Sequence, residues 1–126
     1  MENRQSIGKT GEKLAVWYLE GCGYRILERN YRNRLGEIDI VAREKGAIVF
    51  VEVKARRSSH YGSPKESVTP KKQKALSRVA LRYLKETGQT TARARFDVVS
   101  IRYVQKMPRI ELIKNAFELA YPWPPD

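Results

Sequence analysis

The sequence predicts an α/β fold, and three features carry that prediction. Two stretches place apolar residues at helical spacing, two short apolar runs between them flank a polar connection ending in Gly46, and a β-rich run follows the second helical stretch. The resulting order is helix, three strands, helix, one or two strands. At 126 residues the chain can bury a core without disulfides or structural metal, and residues 1–126 read as one domain.

From Ile7 to Glu20, residues Ile7, Leu14, Ala15, Tyr18 and Leu19 recur on one helical stripe that also holds Gly11, and Gly21 to Gly23 end it. Glu12 falls at the edge of this stripe, facing roughly toward the core, while Lys13 and Glu20 fall on the solvated side. Tyr24 to Tyr31 has strand-forming residues, and Arg32 to Leu35 is a polar turn leading to Gly36. Glu37 to Ala42 and Ala47 to Ala55 then pair as a hairpin across Arg43-Glu44-Lys45-Gly46. Ser58 to Val68 is polar, contains Gly and Pro, and forms the longest loop.

Thr69 as N-cap and Pro70 at the first helical position start the second helix, whose stripe of Leu76, Val79, Ala80, Tyr83 and Leu84 ends before Gly88. Extended back one turn, the stripe passes Lys72 and Gln73, so Gln73 points toward the sheet. Phe96 to Tyr103 is the next strand, and Ile110 to Ile113 is an edge strand after a turn at Met107-Pro108. The Pro-rich tail at 121–126 is extended.

Lys and Arg number 25 against 14 Asp and Glu, a formal charge of +11, and so small a body with that excess attracts a polyanion. Nucleic acid is the expected partner. No apolar run reaches transmembrane length and no isolated basic amphipathic helix is present, which argues against a membrane. The first residues lack the basic and apolar segments of a secretory signal, so a cytoplasmic location is expected. Cys22 is alone and His60 is the only histidine, which excludes an intrachain disulfide and argues against His-rich zinc sites. A bound metal should therefore be hard and oxygen-ligated.

The chemistry concentrates in Gly36-Glu37-Ile38-Asp39-Ile40-Val41 and Val49-Phe50-Val51-Glu52-Val53-Lys54. Carboxylates on adjacent strands can hold Mg²⁺ against a phosphodiester, and a nearby ammonium can position the attacking water. Period-2 geometry puts Glu37 with Asp39 on one face and Glu52 with Lys54 on one face. Asp39 and Glu52 share a face if the hairpin loop has two or four residues, and a plain three-residue loop separates them.

Each of these residues also has an ordinary structural reading. Val-Glu-Val-Lys is how an exposed strand face is commonly written, Asp39 can ion-pair with Lys54, and Glu12 can be a solvated helix residue. Glu37 can add a ligand or pair with Arg34, and Asp97 can bridge to Arg95 or Arg93. Lys71, Lys74 and Arg78 on the second helix, with Arg56 and Arg57 past the third strand, form the expected phosphate track. His60 and Tyr61 can touch substrate from the long loop, but plain loop residues are the favoured reading.

The order of elements, with Asp39, Glu52-Val53-Lys54 and a helical Glu12, resembles the PD-(D/E)xK nuclease superfamily. Gly11-Glu12, Gly36-Glu37-Ile38-Asp39, Phe50-Val51-Glu52-Val53-Lys54, Lys72-Gln73 and Arg95-Phe96-Asp97-Val98-Val99 are more closely similar to the YraN-type family of small bacterial endonuclease-like proteins, itself similar to archaeal Holliday junction resolvases. The resemblance implies a restriction-endonuclease-like αβββαβ core, a central mixed sheet flanked by helices. It makes Asp39 and Glu52 metal ligands, Lys54 the residue near the attacking water, Glu12 a supporting carboxylate and Gln73 a residue at the site's edge. Ile38 stands where the superfamily's name has Pro.

The expected function is hydrolysis of DNA phosphodiester bonds with Mg²⁺ or Mn²⁺, selective for branched or distorted structures because no base-reading module is visible. A homodimer is expected on two-fold DNA. The rival is a nucleic-acid-binding domain in which Asp39, Glu52 and Lys54 are a structural charge cluster.

Overall fold

A computed structural model describes residues 4–56 and 68–119. Arg57, His60, Tyr61 and the tail at 121–126 lie outside the described residues. Helix α1 (Arg4–Gly21) precedes strands β1 (Arg25–Asn33), β2 (Gly36–Glu44) and β3 (Ala47–Arg56), and helix α2 (Pro70–Glu86) precedes β4 (Ala94–Val104) and β5 (Met107–Phe117). The strands form one sheet in the order β1-β2-β3-β4-β5. Neighbours are antiparallel except β3 and β4, which run parallel because α2 carries the chain back across the sheet. The mixed sheet with two helices fits the expected restriction-endonuclease-like core, extended by β5.

Alternation along β3 sorts its side chains onto two faces. Ile48 and Phe50 join Leu76, Val79, Ala80, Tyr83 and Leu84 of α2, while Val49 and Val51 join Ala15 and Leu19 of α1. A strand buried on both sides has to read as a nearly continuous apolar run, as Ala47 to Val51 does. The aromatic centre is continuous: Phe50 lies 5.8 Å from Tyr83 and 5.4 Å from Phe96, which stacks on Phe117 at 4.5 Å. Such contacts contribute about 0.5–1.5 kcal/mol each beyond area burial.

Gly11 fixes the depth of α1. A Cβ there would lie 2.9 Å from the Cβ of Ala55 on β3, so the helix sits where only glycine fits. The α2 start is fixed differently: the Thr69 hydroxyl accepts from the Lys72 backbone N–H at 3.2 Å, and Pro70 opens the first turn.

The turns correct three boundaries. The β1–β2 turn is only Arg34-Leu35, because Arg32 and Asn33 still pair with Glu37 and Gly36. The β2–β3 turn is only Lys45-Gly46, both at positive φ, with Arg43 and Glu44 still paired in the ladder. Glu44 stays because it is buried on Arg95, a long-range partner that local polarity does not reveal. The last hairpin turns at Gln105-Lys106, both in the left-handed region, and Met107-Pro108 already belong to β5. Pro108 is tolerated because β5 is an edge strand.

Candidate active site

Asp39 occupies a break in the sheet. The two-residue turn puts β2 and β3 in a register whose final pair is Ile40 with Val51, and Asp39 and Glu52 follow at the same level. Beside this point the alternation of β2 fails: Ile40 joins the α1 core but Ile38, two residues away, joins the α2 core. The Asp39 side chain turns to β3, where its Oδ2 accepts from the Val53 backbone N–H at 2.8 Å. Burial, reinforced by the charge of Glu52, pushes its carboxyl from 3.8 up to about 7; the Val53 bond opposes the rise, while a hydrogen bond with Glu52 and the charge of Glu12 add to it.

Glu52 is buried and carries two ammonium groups on one oxygen. Its Oε2 lies 2.6 Å from the Lys72 Nζ and 3.4 Å from the Lys54 Nζ. The two lysines respond in opposite senses. Burial, and then the neighbouring Lys72, lower the pKa of Lys54. Burial also acts to lower that of Lys72, but its bonds to Glu52 and Lys54 raise it overall. The distances agree with these directions: Lys72 is the closer ammonium partner of Glu52 and Lys54 the more distant one.

Glu12 reaches the same region from α1. It is half-buried, and the Asn30 amide, turned so that its nitrogen donates, spans both Glu12 oxygens at 3.1 and 3.2 Å. Asn30 lies on β1 at φ 54, a backbone conformation that Asn adopts more readily than most residues. Lys13 and Glu20 are exposed, as their helix face requires.

The remaining expected residues lie elsewhere. Glu37 pairs with Arg32 at 2.8 Å, not with Arg34, and both side chains are largely exposed. Gln73 donates its amide to the Val68 carbonyl at 2.9 Å, holding the segment that enters α2 rather than the carboxylates. Lys71, Lys74 and Arg78 are exposed along α2, and Arg56 ends β3 half-buried. Among the described residues no group of three or more His, Cys, Asp or Glu could hold a metal ion. Of the four carboxylates expected as ligands, Glu37 is taken up by Arg32, whereas Asp39 and Glu52 interact directly, with Glu12 within electrostatic reach. The Asp39–Glu52 pair suits a hard divalent ion, which is commonly held by one or two carboxylates with water and phosphate oxygens completing its shell.

Asp97 and Arg95 belong to a separate network. Asp97 is fully buried, accepting from the Tyr24 hydroxyl at 2.6 Å, Arg95 Nε at 3.0 Å and the Asn115 backbone N–H at 2.9 Å. Arg95 also reaches Glu44 at 2.8 Å. Asp97 thereby fills the register shift where β5 departs from β4 around Lys114 to Ala116. Burial, then Asp97, raises the Tyr24 pKa, and Arg95 lowers that of Glu44. All its charges are paired, as a structural cluster requires.

Lys72 and Asn30 were not among the expected site residues. A lysine in the first turn of a helix is ordinarily solvated, and only the seating of α2 over β3 brings this one to Glu52. Asn30 had a signal: a two-residue turn after Asn33, which pairs with Gly36, places it across from Asp39.

Residues 11–101 match the model of a group described as "Uncharacterised protein family UPF0102". Similar proteins include a UPF0102 protein of Geobacter metallireducens, 57% identical over 119 residues covering 94% of this chain and 98% of the relative. One from Syntrophus aciditrophicus is 56% identical, covering 90% of each chain. Another from Geobacter sulfurreducens is 53% identical, covering 91% of each. No helix among the described residues is long and apolar enough to cross a membrane.

Proposed function

Taking as premise that the chain belongs to the UPF0102 (YraN) family, we propose that it is a divalent-metal-dependent nuclease that hydrolyses DNA phosphodiester bonds. The observation that carries this reading is the Asp39–Glu52 pair: a carboxyl pushed up to about 7 by burial and by a second carboxylate is a costly arrangement for a structural role, and a cation between the two would relieve it.

Asp39 and Glu52 would hold Mg²⁺ or Mn²⁺, with Glu12 contributing negative charge from α1. The ion, when bound, neutralises charge that builds on the phosphate and makes water more acidic. Lys54, two residues from Glu52 on β3, holds the attacking water in line with the departing oxygen. The Val53 N–H keeps Asp39 oriented while this happens. Lys71, Lys74 and Arg78 extend from the site along the exposed side of α2 and contact phosphates without reading bases. This suits a structure-selective enzyme acting in the cytoplasm, as a homodimer where the DNA is two-fold.

A calorimetric titration of Mn²⁺ into the chelator-stripped protein tests the metal. The wild type should bind and both Asp39→Asn and Glu52→Gln should lose that binding. Equal weak binding by all three would return the cluster to a structural role.

The second reading, a nucleic-acid-binding domain without catalysis, is favoured by one observation: Glu52 is already paired with two lysines, Lys72 and Lys54. It expects DNA binding that neither requires nor responds to divalent ions.

A further inference from the structure

We infer that Lys72 is a built-in competitor of the divalent cation at Glu52, occupying the carboxylate until the ion displaces it. The inference rests on the metal reading above and adds a residue that sets how tightly the ion is held.

The cationic charge at the site is unevenly placed. Glu52 Oε2 carries both ammoniums, whereas Asp39, the other half of the pair, has a backbone N–H as its hydrogen-bond donor. A divalent ion shared by the two carboxylates therefore binds a Glu52 carboxylate whose Oε2 is already in short contact with Lys72. A divalent ion and an ammonium crowded onto one buried carboxylate repel each other strongly, so one of them moves.

Lys72 is the group able to leave. Lys54 follows Glu52 by two residues on the same strand and its side chain is 24% exposed. The Lys72 side chain is 42% exposed and comes from a helix turn whose backbone is fixed by the Thr69 cap. A rotation of its four-carbon stem, with no backbone motion, carries the ammonium to the exposed end of α2 beside Lys71 and Lys74. Its departure and the ion's arrival are thus a coupled exchange on Glu52, and removing the competitor should strengthen metal binding. A purely structural clasp between α2 and β3 makes the opposite forecast, because its removal loosens the site.

The test is a calorimetric Mn²⁺ titration at low salt of the full chain, stripped with chelator, as wild type, Lys72→Met, Lys72→Gln, Lys72→Arg and Glu52→Gln. Thermal unfolding in EDTA checks that each variant is folded. Lys72→Met and Lys72→Gln are expected to bind Mn²⁺ about tenfold more tightly than the wild type, within the usual range of site coupling. Gln can keep a hydrogen bond to Glu52 without the charge, so it covers the case in which Met alone disturbs the fold. Lys72→Arg keeps the competing charge and should bind no more tightly than wild type, and Glu52→Gln should not bind. Wild-type binding with unchanged or weaker affinity in both neutral variants overturns the inference alone. No binding by any of them, with the wild type indistinguishable from Glu52→Gln, overturns the metal reading and the inference with it.

Discussion

Replacing Asp39 by Asn should make the metal-free protein more stable, although it removes a residue placed at the centre of the site. The carboxyl has a folded-state value of about 7 against 3.8 for an ordinary one, so folding favours its protonated form. Below pH 4 both folded and unfolded chains carry the proton and the group contributes nothing. Between pH 4 and 7 the folded chain binds more proton than the unfolded one, so stability falls as pH rises; above pH 7 the full penalty is present. The difference between 3.8 and about 7 corresponds to a ceiling of ~4 kcal/mol. Water penetration and the nearby lysines screen part of this, leaving about 2 kcal/mol. Asn resembles the protonated carboxyl: its oxygen can accept from Val53 and its amide can donate to Glu52. Urea unfolding in EDTA at low salt should therefore show Asp39→Asn exceeding the wild type by about 2 kcal/mol at pH 8 and by little below pH 4, a rise in Tm of roughly 5–10 °C at the higher pH. A variant equal to or less stable than wild type at pH 8 would refute the claim that the pair is electrostatically strained without a cation.

Gly11→Ala should destabilise although alanine is the better helix former, because the new Cβ meets Ala55 at 2.9 Å; a loss of about 1–3 kcal/mol in urea unfolding is expected, with recovery in the Gly11→Ala, Ala55→Gly double variant. Asp97→Ala should cost about 1–3 kcal/mol by leaving the Asn115 N–H and the Tyr24 hydroxyl without their acceptor, while Arg95 keeps Glu44 and Mn²⁺ affinity is unchanged, which calorimetry can separate. Neutralising Lys74 or Arg78 should reduce the slope of log affinity against log salt for duplex DNA by about 1 for each phosphate left without its cation; unchanged slopes would remove α2 from the phosphate track.

How far the sequence could be read depended on the range of the interactions involved. Elements written by local patterns were legible: the Thr69-Pro70 start of α2, its stripe from Leu76 to Leu84, and the apolar run of β3. The hairpin loop length that aligns Asp39 with Glu52 was posed by the sequence as a choice, and the positive φ of Lys45 and Gly46 decides it. Failures arose where a distant partner decides the outcome. Glu44 reads as loop polarity but is buried because Arg95 arrives from β4, 51 residues away. Gln105-Lys106 lacks the Asn-Gly or Asp-Gly signature of its turn, so Met107-Pro108 looked like the stronger turn signal. Within the site, Glu37 had the right strand parity but an exposed partner in Arg32. Lys72 lay on the extended stripe of α2 beside Gln73, but its pairing with Glu52 exists only when α2 lies over β3.

The central claim is tested most directly by incubating end-labelled branched, single-stranded and duplex DNA with the protein in Mg²⁺ or in EDTA, beside Glu52→Gln. Wild-type protein should shorten at least one of these DNAs in Mg²⁺ and none in EDTA, while Glu52→Gln retains binding and cuts nothing. Tight binding of all the DNAs with no Mg²⁺-dependent cleavage, or equal cleavage by Glu52→Gln, would contradict the assignment of Asp39 and Glu52 to a hydrolytic metal site.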